Sequence, residues 1–176
     1  MCDRPKVTGG PSGSEKGKSM SSREAASRHV QFDVANRLFF RLYQASNLMH
    51  KNGTRYVADF GATTQQWAVL GALARTSAHD KGMPVKDLMG FLLLSRQNLT
   101  AVLDRLEARR WIERAKDPED GRNRLIRLTV EGSRIWEEMQ GAIGTFYSRA
   151  LHAFSAADQM QLYHLLDRLR SGLNEV

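Results

Sequence analysis

At 176 residues and 19.9 kDa, the chain is sized for one domain, or for a small module of a larger dimer. With 41% hydrophobic and 26% charged residues it can form a packed core, and a single cysteine, Cys2, excludes an internal disulfide framework and a thiolate-cage metal site. The formal charge of +7 and a pI near 9.9 favour a polyanionic partner. The longest apolar run, Phe91 to Leu94, is far shorter than the ~20 residues of a membrane span. The opening residues have no apolar signal-peptide core, so the expected location is the cytoplasm, with no membrane partner.

Residues 1–22 hold four glycines, five serines and almost nothing apolar, which predicts a disordered basic tail. Its charge of +2 suits a segment trailing along DNA phosphates, or simply a solvated leader. Residues 23–62 are expected to form a dimerisation helix and a connector. From Ser22 to Lys51, Val30, Val34, Leu38, Leu42, Ala45 and Met49 recur at steps of three or four, widened by Phe32, Phe39 and Tyr43. A helix of roughly 28 residues is ~42 Å long, more than a small globule covers alone. Asn52-Gly53 is a turn signal, placing the connector at Lys51 to Gly61.

Residues 63–129 read as the central module. Thr63 caps a helix carrying Trp67, Val69, Leu70 and Leu73 and ending near Arg75. Pro84 suits the first turn of a short helix with Val85, Leu88, Met89 and Leu92. Ser95 caps the next, whose Leu99, Val102, Leu103 and Leu106 follow one helical face. Then come two short strands, Ile112 to Lys116 and Arg124 to Thr129, around the turn-forming run Asp117 to Asn123. Helices followed by a hairpin give the expected fold class: mainly α with a small β-hairpin wing, a winged helix-turn-helix flanked by N- and C-terminal dimerisation helices. Residues 130–176 supply the latter. Thr129 caps a helix with Glu131 in its first turn and a stripe of Ile135, Met139, Ile143, Phe146, Ala150 and Phe154. Ser155 and Asp158 form a capping-box pattern before a last helix rich in leucine. The long terminal helices lack a third layer within one chain, so pairing with a second copy is expected.

The polar face of the Ser95 helix carries Arg96, Gln97, Thr100 and, further along, Asp104 and Arg105. A major groove admits such a helix; Arg96 can donate twice to guanine and Gln97 can pair with adenine. Thr100 suits a thymine methyl or a phosphate, and Asn98, nearer the flank, suits backbone. Any surface helix has a polar face, so the wing adds the discriminating signal. Asp120-Gly121 marks a tight hairpin, followed by Arg122 and Arg124. An arginine at the tip of a ribbon reaches the narrow minor groove, and Asp120 is placed to hold Arg122 extended. From Ser95 to Arg134 ten Lys and Arg face seven acids, so placement matters more than bulk charge.

The features from Leu94 to Gly132 resemble the MarR family of transcriptional regulators. They are Ser95 opening the reader helix, the block Leu103-Asp104-Arg105-Leu106-Glu107, the wing from Asp117-Pro118 through Asp120 and Arg122, and Leu128-Thr129 before Gly132. The rest of the order agrees over about 150 residues, from Thr63 and Trp67 to paired terminal helices. The resemblance implies a homodimeric winged-helix repressor on a palindromic double-stranded operator, displaced by a small ligand; no cofactor is expected, and the scattered histidines argue against a metal. It implies Arg122 as the minor-groove residue, Asp120 as its support, and a reader helix at Ser95, Arg96, Gln97 and Thr100, with Thr63 at the preceding helix start.

Family members often hold aromatic acids or phenols between dimer helices and winged module. The matching surfaces offer Phe32, Phe39, Tyr43, Met49, His50 and Trp67, with Met139, Ile143 and Tyr147 opposite, residues that core or dimer seam would equally use. Arg28, Arg37, Arg41 and Arg55 are nearby cations suited to a carboxylate or to coenzyme A phosphates. In overall look the chain is similar to the branch that controls hydroxycinnamate catabolism through aryl-coenzyme A thioesters, which implies p-coumaroyl-CoA as effector. An enzyme is disfavoured, because the five histidines form no HExxH pair and no Gly-rich phosphate loop follows a strand. A metal-responsive regulator and a sequence-nonspecific architectural DNA binder are the alternative readings.

Overall fold

The computed structural model describes residues 22–75, 81–117 and 124–176. The proposed disordered tail up to residue 21 and the wing-tip residues Asp120 and Arg122 lie outside them. Helix α1 spans Ser22–Tyr56, and a 3-10 turn at Ala58–Phe60 leads to α2 at Thr64–Leu73. Next come β1 at Met83–Pro84, α3 at Val85–Leu92 and α4 at Arg96–Ala108. Strands β2, Ile112–Lys116, and β3, Arg124–Leu128, precede α5 at Val130–Ala150 and α6 at Ala156–Asn174. The mainly α class with a β wing is therefore the observed one. The chain divides into two compact units within α1, one up to Gln44 and one from Ala45 onward.

Local chemistry explains where most elements begin. Thr63 accepts from the Gln66 backbone N–H while the Gln66 side chain accepts from the Thr63 N–H, a reciprocal capping box. Ser95 caps α4 through the Asn98 N–H, and Thr129 caps α5 through the Gly132 N–H. Ser155 and Asp158 repeat the capping box at α6. Each cap satisfies donors that a helix start leaves open, worth ~1 kcal/mol apiece.

Three expectations need correction. The helix α1 does not stop at Lys51; it runs through Asn52-Gly53 to Tyr56. Gly53 serves close packing instead of a turn, since a Cβ there would stand 2.7 Å from the Thr64 methyl and 3.0 Å from the Trp67 ring. Pro84 closes the two-residue strand β1 and stands just before α3 rather than inside it. The hairpin thus becomes a three-stranded antiparallel sheet in the order β1-β3-β2, with Met83 opposite Ile126 and Ile112 opposite Leu128. A strand of two residues, one a proline, is tolerated because it lies on the sheet edge.

The core of the second unit gathers Val69, Leu70 and Leu73 of α2, Leu88 of α3, Leu99, Leu103 and Leu106 of α4, Ile126 of β3 and Met139 of α5. Burying each such side chain contributes about 1.5–3 kcal/mol, so this cluster fixes how α4 and the sheet are held. Arg109 ties the 3-10 turn to that core. Its guanidinium donates to the Phe60 and Gly61 carbonyls at 2.7 Å each and stacks 3.7 Å above the Trp111 ring. The start of α5 rests on the turn between α4 and β2, where the Thr129 hydroxyl donates to the Arg110 carbonyl at 2.6 Å.

In the first unit, the helical residues from Val30 to Tyr43 keep large apolar side chains exposed, Phe32 and Tyr43 among them. In the second, Met160, Tyr163, Leu165 and Leu166 of α6 do the same.

Candidate nucleic-acid interface and effector cavity

The helix α4 turns its leucines inward and leaves Arg96, Gln97, Asn98, Thr100 and Arg105 exposed along one polar side. The Ser95 hydroxyl is used in the cap, and Thr100 donates its hydroxyl to the Arg96 carbonyl at 2.8 Å. That bond orders Thr100 while its oxygen can still accept. Thr63 is likewise half-buried and committed to the α2 cap. Asp104 is drawn away from the polar face toward the sheet, because Arg114 of β2 donates to it and also pairs with Glu107 at 3.4 Å. This network connects the reader helix to the wing strand. Arg124 is exposed at the free end of β3, paired in register with Lys116, so two cations mark the root of the wing.

A second feature lies wholly within the unit that begins at Ala45. A cavity of about 760 Å³ is bounded by Leu48, Met49, His50 and Asn52 of α1, Thr64, Gln65, Trp67 and Ala68 of α2, Leu92 and Leu94 beside α3, and Phe146, Tyr147, Ala150 and Leu151 at the end of α5. Aromatic rings build one wall: Trp67 meets Phe146 at 5.8 Å and Tyr147 at 5.9 Å between centroids, both near edge-to-face. Partial burial pushes the Tyr147 phenol above its ordinary range, offset in part by its hydrogen bond with Trp67. The phenol therefore stays protonated at neutral pH and is available as a donor. His50 Nδ1 lies 2.8 Å from the Thr64 hydroxyl, and the Thr64 N–H donates to the Thr54 hydroxyl at 3.3 Å. The polar anchors are thus few and held in place, as small-ligand cavities require.

Of the effector residues read from sequence, His50 and Trp67 line this cavity, as do Met49 and Tyr147. Met139 and Ile143 lie in the packed core instead, 0% and 4% exposed. Arg28, Phe32, Phe39, Arg41 and Tyr43 belong to the first unit, where all five are exposed. Arg41 there donates to Gln44, and Arg37 pairs with Asp33 at 2.9 Å. Sequence reasoning missed Asn52, Gln65, Leu92 and Leu94. Reading Asn52-Gly53 as a turn hid the one signal available, the continuation of the helical period to Tyr56.

Among the described residues, no group of three or more His, Cys, Asp or Glu is placed to hold a metal, and no helix is long and apolar enough to cross a membrane. A capped reader helix beside a three-stranded sheet defines a winged helix-turn-helix, a DNA-binding module of transcriptional regulators. The model of the MarR family matches residues 60–123. The chain is 42% identical over 148 residues to the transcriptional activatory protein BadR of Rhodopseudomonas palustris, covering 84% of each chain. It is 32% identical over 105 residues to the homoprotocatechuate degradative operon repressor of Escherichia coli, covering 60% of this chain and 68% of that one. The crystal structure of the PcaV transcriptional regulator from Streptomyces coelicolor with its natural ligand superposes with a TM-score of 0.62 at 27% identity, covering 77% of this chain and 91% of that one. The chain belongs to the MarR family. It is a transcriptional regulator.

Proposed function

We propose that this regulator binds a palindromic operator as a homodimer and is released by an aromatic effector, an aryl-coenzyme A thioester such as p-coumaroyl-CoA, to control aromatic catabolism. The observation that carries the reading is the apolar, aromatic-walled cavity behind the reader helix: α2 supplies Trp67 to it and Leu70 and Leu73 to the core on which α4 packs. Arg96, Gln97, Asn98, Thr100 and Arg105 of α4 and Arg124 of the wing are the proposed DNA contacts, with Ser95 and Thr63 positioning helix starts. Asp120 and Arg122 carry the minor-groove role. His50 and Trp67 are the proposed effector contacts, with Met139 and Ile143 as core backing; Arg28, Phe32, Phe39, Arg41 and Tyr43 of the first unit are further proposed effector residues. Residues 23–62 and 130–176 serve pairing, around the module 63–129.

Release is a population shift, in which ligand binds best where the two reader helices are wrongly spaced for the operator. The homoprotocatechuate degradative operon repressor, as a relative, supports control of aromatic catabolism and a repressing role. A second reading, activation, is favoured by the activatory relative at 42% identity.

Fluorescence anisotropy with the chain's own upstream DNA and a scrambled duplex, with and without p-coumaroyl-CoA, tests the proposal. Tight binding to the upstream duplex alone, reversed by the thioester, is the expected result. Equal binding to both duplexes overturns it in favour of an architectural binder. Transcript levels after deletion of the gene assign the sign: a rise in target transcripts means repression, a fall activation.

A further inference from the structure

The effector cavity contains no arginine or lysine among the residues that bound it. A second cavity of about 530 Å³ adjoins it, sharing Asn52, Phe146 and Ala150 as walls, and is completed by Arg55, Tyr56 and Arg149. Both arginines stand in the last turns of their helices, α1 and α5. Favourable interaction with the helix dipole accounts for a cation at each place, but not for their convergence on one concavity. Arg37, Arg114, Arg134 and Arg170 each pair with a carboxylate. Arg149 belongs with Arg41, Arg109 and Arg127, which donate to neutral oxygens and not to carboxylates. It donates to the Tyr56 hydroxyl at 3.3 Å, and no Asp or Glu bounds the second cavity among the described residues. Tyr56 also packs against Phe146, tilted with 5.5 Å between centroids, so one aromatic wall runs from the apolar cavity to the cationic one.

We infer that the two cavities form one bipartite site, in which the apolar chamber takes the aromatic body of the ligand and Arg55 and Arg149 take an anionic oxygen group. The inference rests on the effector reading above and deepens it, placing the charge recognition in the last turns of α1 and α5. The hydrogen bond to Tyr56 orders Arg149 beforehand, which lowers the entropic cost of gripping the anion. Asn52, on the shared wall, stands where the body meets the charged group. The anion is either a carboxylate on the aromatic acid or a phosphate of its thioester, since guanidinium forks suit both.

The test is isothermal titration of wild type, Arg55→Gln and Arg149→Gln with p-coumarate, its neutral methyl ester, p-coumaroyl-CoA and free coenzyme A. An unchanged thermal midpoint by circular dichroism shows that each variant folds. The expected result is that an anionic aromatic ligand binds wild type and loses about tenfold affinity with each arginine, while the methyl ester is indifferent to both substitutions. Loss confined to p-coumarate assigns a carboxylate; loss for p-coumaroyl-CoA and coenzyme A assigns phosphate. Anionic ligands that bind both variants as tightly as wild type overturn the bipartite site and leave the effector reading standing. Absence of binding by all four compounds to wild type overturns both.

Discussion

Helices α4 and α6 carry leucines at the same helical spacing, yet the two rows have different surroundings. In α4, Leu99, Leu103 and Leu106 are at most 2% exposed. In α6, Leu162, Leu165, Leu166 and Leu173 are 37–50% exposed. Periodicity announces that a face needs covering; only tertiary structure says whether the same chain covers it. The reader helix is completed inside one chain, by α2, α3 and the sheet, whereas α6 leaves its apolar row for another surface. A second copy is the proposed covering, and the proposed operator with two-fold symmetry would require one too.

Breaking that second covering has the largest expected effect. Leu162→Asp with Leu166→Asp should leave the monomer folded, shift analytical ultracentrifugation from dimer to monomer, and weaken operator binding about a hundredfold or more through loss of the second half-site. A dimer that survives both charges would contradict the contrast between α4 and α6. The opposite end of the comparison is the joint that finishes the reader module. A Cβ at Gly132 would stand 1.8 Å from the Trp111 carbonyl oxygen, so Gly132→Ala must move α5 off its turn. The expected loss is about 3 kcal/mol in urea denaturation, and a change near zero would show that the joint is soft.

Smaller effects separate reading from folding. Arg122→Ala should weaken operator binding by ~1–3 kcal/mol with the dimer intact, checked by anisotropy beside sedimentation. Unchanged binding removes Arg122 from the minor groove. The smallest effect concerns the α5 start, where Arg134 donates to Glu131 at 2.7 and 3.0 Å and holds its carboxyl below the ordinary value of 4.5. A depressed folded pKa stabilises above the unfolded value and is lost as pH falls through the folded one. Glu131→Gln should therefore cost a little stability at neutral pH and flatten the melting profile below about pH 4.5, with Asp158, also lowered by its cap partner Ser155, supplying a residual acid limb. An identical acid limb in the variant would assign the dependence elsewhere.

What was legible in the sequence was local. Thr63, Ser95, Thr129 and Ser155 each begin a helix as their side-chain chemistry predicts, because a cap needs only residues within one turn. The leucine period placed the α4 core correctly for the same reason. Gly53 misled because glycine at a turn and glycine under a tryptophan look alike until Trp67 is brought beside it. Strand β1 was missed because two residues carry no period of their own; its existence depends on Ile126 and Leu125 across the sheet. The cavity was half legible: His50 and Trp67 stand out as aromatic positions, but the approach of Arg149 to Tyr56, 93 positions earlier, is written in no local pattern.

On the proposed function, the reader and the cavity are separate parts joined by a shared core, so that filling the cavity silences its control of the reader. Ala150 is exposed and bounds both cavities, which makes Ala150→Trp a way to fill them without disturbing the α4 core. Operator anisotropy of this variant, titrated with p-coumaroyl-CoA, is the most direct measurement. The variant should bind the operator as tightly as wild type and show no release by the ligand. Release at the wild-type ligand concentration would contradict it.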